Sequence, residues 1–108
     1  MHRSFTVTLP ADTAAHNLYD QLLLVTGAVP TDGILPKLVS QLEIQADQAN
    51  LGTITISDQN NANTDGKVLL GGDVRDIGPF SRNAIHIPDY YVKGSANSQV
   101  MEVEIEAT

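Results

Sequence analysis

Three histidines, a file of alternating glutamates and one Asn/Asp-rich loop are the residues of this 108-residue chain whose types could do chemistry. His2, His16 and His86 fall on an N-terminal segment, a helix-like segment and a strand-like segment. Their separations match no metal-ligand spacing, so each reads as a surface or half-buried structural residue. Serine and aspartate are plentiful, but there is no GxSxG elbow, and no histidine stands where it would be marked as a general base. The glycine pairs of "LLGGDVRDIG" lack the spacing of a dinucleotide or phosphate loop and read as turn residues. Cysteine is absent, which removes disulfides, thiolate nucleophiles and thiolate metal sites together. The expectation is a chain with no catalytic residues, no cofactor and no resident metal, and so not an enzyme.

Two weaker patterns leave alternatives open. In "NANTDG", Asn61, Asn63 and Asp65 followed by Gly66 fit the first half of a calcium loop. Position twelve is then Gly72 where a bidentate Glu is needed, and the segment after Gly66 resembles a strand. A polar hairpin loop is the plain reading, and a weak cation site using Asp58 and Asp65 is the rival. Glu102, Glu104 and Glu106 share one face of the last strand-like segment. They form either a solvated face or a surface for a basic partner, since like charges two residues apart are tolerable in water and costly if buried unpaired. Of the adjacent Tyr90 and Tyr91, alternation sends one inward and one outward, and an exposed Tyr suits interfaces.

The elements that would position these residues are mostly strands. "SFTVTLP" sets Phe5, Val7 and Leu9 against Thr6 and Thr8 and stops at Pro10, with residues 1–4 as an arm ahead of it. Ala14, Leu18, Leu22 and Val25 recur at helical spacing, with Asp12 or Thr13 as cap and Gly27 as stop; a strand over "LYDQLLLV" is the competing reading. After the loop "PTDGILPK", Leu42, Ile44 and Ala46 alternate with Gln41, Glu43 and Gln45. "DQANLG" turns the chain, and Ile54 and Ile56 alternate with Thr53 and Thr55, which predicts a hairpin over 42–59. "VLL" is a short strand and "GGDVRDIGP" a glycine-rich connection. "NAIHIPDYYVKG" has strand character around Pro88, which marks an edge or a bulge. Finally Met101, Val103 and Ile105 alternate with the three glutamates.

Short strands about ten residues apart, separated by Gly, Pro, Asn and Asp, predict an all-β single domain over 1–108, an antiparallel jelly-roll-like β-sandwich with one short helical excursion. Six Lys and Arg against 13 Asp and Glu give a formal charge of −7, which argues against a nucleic-acid partner. No window supplies the roughly twenty apolar residues of a membrane span, and "MHRSFTVTLP" lacks the apolar core of a signal peptide. The expectation is a soluble protein made in the cytoplasm, with no membrane partner.

The order of segments adds a resemblance. "VTLPADTAAHNLYDQLL", "LVSQLEIQADQANLGTITISD" and "IHIPDYYVKGSANSQVMEVEIEA" together resemble small virion proteins of tailed bacteriophages, of the capsid cement or decoration type, over Phe5 to Ala107. The resemblance implies a protein made in the host cytoplasm and placed on the outer surface of the head, where it bridges major capsid subunits. Its partners would be the major capsid protein and a second copy of itself on the shell. The resemblance carries over no catalytic motif. Within that reading the arm "MHRSF", Ile34 and Leu35 of the "PTDGILPK" loop, and Tyr91 are the partner-contact candidates. A tail or head-fibre component, and a module that binds carbohydrate or a host surface, are the alternatives. The second is weakened by a content of only two Phe and three Tyr with no Trp.

Overall fold

The computed structural model describes residues 1–27, 35–58, 66–96 and 98–108, and it is mostly β, with antiparallel sheets and one α-helix. The strands are β1 (His2–Thr8), β2 (His16–Asn17), β3 (Leu38–Val39), β4 (Gln41–Ala46), β5 (Ile54–Ser57), β6 (Lys67–Leu69), β7 (Val74–Ile77), β8 (Ile85–His86), β9 (Tyr91–Gly94) and β10 (Val100–Glu106). The helix α1 is Leu18–Thr26, and a 3₁₀ turn covers Ile87–Asp89.

Pairing follows a nested order. β1 pairs with β10, β2 with β9, β3 with β8, β4 with β7 and β5 with β6, all antiparallel. Two further pairings, β10 with β4 and β9 with β5, gather these rungs into two four-stranded sheets, β1-β10-β4-β7 and β2-β9-β5-β6, beside the small β3-β8 pair. The chain thus runs as an antiparallel ribbon folded back on itself.

The alternation predicted for β1, β4, β5 and β10 is present. Phe5, Val7, Leu42, Ile44, Ala46, Ile54, Ile56, Met101, Val103 and Ile105 are all buried and belong to one core cluster supplied by both large sheets. Burying a Val, Leu or Ile side chain contributes about 1.5–3 kcal/mol, and the near-absence of aromatics leaves this aliphatic cluster as the main source of stability.

Several expectations are corrected. Residues 2–4 are no loose arm: they are paired with β10, and the Met1 ammonium donates to the Ala107 carbonyl at 2.8 Å. The helix starts later than Asp12 or Thr13. Asp12 accepts from the Ala14 amide at 3.0 Å and contacts the His16 ring at 2.7 Å, and His16 and Asn17 are drawn into a ladder with β9, so the helix does not begin before Leu18. Asn17 then caps α1 by accepting from the Asp20 amide. Gly27 closes it as expected, in the left-handed conformation at φ 70° that favours glycine. The expected hairpin over 42–59 does not form. β4 and β5 lie in different sheets, and residues 47–53 carry the chain from one to the other. "VRDI" within the supposed connection is the strand β7, entered by a turn in which Asp73 donates its amide to the Leu70 carbonyl at 2.9 Å. Pro88 is the second residue of the 3₁₀ turn Ile87–Asp89, which separates β8 from β9.

Candidate functional site

The outward face of β1-β10-β4-β7 collects the largest group of chemically capable side chains. Register sets them in three cross-strand rows. The first is His2, Glu106 and Gln41; the second is Ser4, Glu104, Glu43 and Asp76; the third is Thr6, Glu102, Gln45 and Val74. Period-two alternation puts them there: except for His2, which lies two residues before Ser4 on the same strand, each is the neighbour of a residue that β1, β10 or β4 buries, or of Arg75 or Ile77 in β7.

Polar partners on β1 and β4 hold the acids. The Thr6 hydroxyl donates to Glu102 Oε2 at 2.7 Å and the Ser4 hydroxyl to Glu104 Oε1 at 3.2 Å. Gln41 Nε2 donates to Asp76 Oδ1 at 3.0 Å. The His2 ring lies 3.6 Å from Glu104 and 3.5 Å from Glu106, both exposed pairs of small energetic weight. Glu43, at the centre, has its pKa pushed up. Partial burial is the main cause, followed by the charges of Asp76 and Glu104 and a hydrogen bond shared with the Glu104 carboxyl, against a small opposing effect of His2. A shallow depression here is bordered by His2, Gln41, Glu43, Glu104 and Glu106.

These carboxyls are spread over a sheet and do not converge on a point. Among the described residues no group of three or more His, Cys, Asp or Glu is placed to hold a metal ion. What the arrangement can do is present a broad anionic face, backed by rigid ladders, to cationic groups of a partner.

The remaining candidates are dispersed. Leu35 is buried, 2% exposed, and its carbonyl accepts the Tyr19 hydroxyl at 2.6 Å, so the expectation of an exposed contact there is overturned: its side chain completes the core beside α1. Ile34 lies outside the described residues, as do Asn61, Asn63 and Asp65 of the calcium-like pattern. Tyr91 is half-buried on β9, opposite Asn17 and Ser57, while Tyr90 packs against the core. His16 and His86 each stand beside a carboxylate, Asp12 at 2.7 Å and Asp89 at 3.0 Å.

Sequence reasoning found the three glutamates but missed Glu43 and Asp76 as their neighbours. Glu43 was visible as the polar half of an alternating strand. Asp76 was hidden because Arg75 takes an inward position, its guanidinium Nη1 reaching the Ile56 carbonyl at 3.4 Å, so "VRDI" does not read as apolar-polar alternation.

Comparison of the chain with family models, with curated proteins and with solved structures finds no match. Among the described residues, no helix is long and apolar enough to cross a membrane.

Proposed function

We propose that this chain is a structural virion protein of the capsid cement or decoration type, a jelly-roll sandwich that binds the outer surface of a phage head and bridges major capsid subunits. The observation that carries the reading is the nested pairing order. Leaving out the small β3-β8 pair, eight strands lie in the two sheets β1-β10-β4-β7 and β2-β9-β5-β6 as a folded antiparallel ribbon rolled upon itself would place them. That order supports a jelly-roll reading, an arrangement that recurs in viral capsid and lectin domains. Fold alone does not assign function. The resemblance of its segment order to phage cement proteins, and an acidic face held by strands, favour the capsid among the fold's uses.

The mechanism is mass action. A protein that binds the assembled lattice and not its separated subunits stabilises the lattice by its binding free energy, and many symmetry-related copies multiply a modest contact. The acidic outward face of β1-β10-β4-β7 suits basic patches on the shell exterior, and Tyr91 is the surviving side-chain candidate on the other large sheet.

Co-sedimentation of the purified protein with expanded, undecorated heads tests this. Saturable binding at hundreds of copies per head supports the cement reading. Absence of binding, with the protein found at a few copies in tails, overturns it in favour of the tail or fibre reading.

A further inference from the structure

We propose that the free edge of β1 is where two copies of this chain join, edge to edge about a two-fold axis, to make one sheet continuous across both molecules. The inference does not depend on the capsid reading.

Antiparallel ladders alternate, so every second residue of an edge strand aims its N–H and C=O away from its neighbour. Met1 and Ala107 exchange both backbone hydrogen bonds at 2.8 Å, and Leu9 donates to Gln99 at 2.9 Å. The register between β1 and β10 is unbroken between these points. The odd-numbered residues of β1 therefore bond to β10, and His2, Ser4, Thr6 and Thr8 point their backbone groups at the open edge. Among the described residues, no intramolecular backbone hydrogen bond claims those groups.

β1 differs from the other edges. It has seven residues, where β7 has four, β6 three and β2 two. It carries no bulge, no proline and no lysine, the usual means of discouraging edge pairing. Its sequence is also self-complementary. A two-fold axis through Phe5 sets Ser4 opposite Thr6 of the second copy and His2 opposite Thr8, and in this register every outward N–H and C=O of the four residues meets a partner. Arg3 faces Val7 and Phe5 faces Phe5, so no like charges stand opposite one another.

Charge selects the same edge for two chains of net charge −7. β1 itself has no acidic residue, and the glutamates begin one strand further in, on β10. Across the pair, the two β10 strands would be three strand spacings apart, about 14 Å, which exceeds the roughly 8 Å screening length at physiological salt.

Sedimentation equilibrium and amide hydrogen exchange test the proposal on the whole chain. In the wild type a monomer–dimer equilibrium is expected, with the Ser4, Thr6 and Thr8 amides gaining protection as concentration rises. Thr6→Pro removes a backbone N–H that only the second copy uses, together with the hydroxyl that donates to Glu102, and should raise the dissociation constant roughly tenfold or more, while the Phe5 and Val7 amides stay protected. A wild type that remains monomeric up to about 1 mM overturns the proposal. So does a Thr6→Pro dimer of undiminished affinity. Protection of these amides only on addition of heads assigns the edge to a capsid strand, and equally overturns pairing between copies. Should Thr6→Pro lose the Phe5 and Val7 protection, the wild-type exchange pattern alone decides.

Discussion

Glu43 of β4 stands directly opposite Glu104 of β10 at the middle of the outward sheet, with Asp76 of β7 on its other side, so three carboxyls occupy one cross-strand row. The row carries an electrostatic cost, and the charges of Asp76 and Glu104 are among the causes that raise the pKa of Glu43. Under the proposed function, that cost is what keeps a surface anionic for a partner.

The row makes stability depend on pH in a definite direction. Because the folded-state pKa of Glu43 is raised, the folded chain binds more protons than the unfolded one just above the unfolded pKa, and stability falls as pH rises through that window. Glu43→Gln should therefore raise the melting temperature at pH 7, on the order of 1–4 °C for a surface group, with the gain vanishing near pH 3. Paired thermal melts at the two pH values check this; a loss of stability at pH 7 would contradict it.

Asp12 should behave oppositely. The hydrogen bond from His16, with a second from the Ala14 amide, lowers its pKa, so its contribution is present above the unfolded pKa and lost as pH falls through the folded one. Carboxyl titration by NMR should place Asp12 below Glu43. Asp12→Asn should remove any stabilisation seen at pH 6 and change little at pH 2.

Tyr19→Phe should destabilise the fold by about 1–3 kcal/mol, because it leaves the Leu35 carbonyl without its 2.6 Å donor in a buried setting. Urea unfolding measures the loss. A neutral result would mean that water replaces the hydroxyl.

Asn50 ties the crossing between sheets to β10, its amide donating to the Val100 carbonyl at 2.8 Å and its carbonyl accepting the Val100 amide at 2.9 Å. Asn50→Ala should cost about 1–3 kcal/mol. Hydrogen exchange should show the Val100 amide losing protection more than Val103, whose pairing is with β1.

Ile44 is fully buried between β10 and β7 in the centre of the core. Ile44→Ala should destabilise by about 2–5 kcal/mol, while Ile44→Val should cost only about 0.5–1.5 kcal/mol. Equal losses for the two would place the side chain somewhere other than a packed interior.

The sequence by itself determined the faces of the strands. Met101, Val103 and Ile105 against Glu102, Glu104 and Glu106 can satisfy period-two geometry in one way only, and the same holds for β1, β4 and β5. The end of α1 at Gly27 was equally legible, because a left-handed cap asks for glycine locally. Partner choice was not. Two alternating runs joined by a polar corner suit a hairpin and a sheet-to-sheet crossing equally well, and what separates β4 from β5 is that β4 finds β10 and β7 while β5 finds β9 and β6. The same long-range pairing raised "VRDI" to a strand, held His16 and Asn17 extended ahead of the helix, and set Glu43 and Asp76 beside Glu104. Alternation is a property of neighbours in the chain, whereas register is settled by the core that all the strands must fill together, and only the tertiary structure contains that.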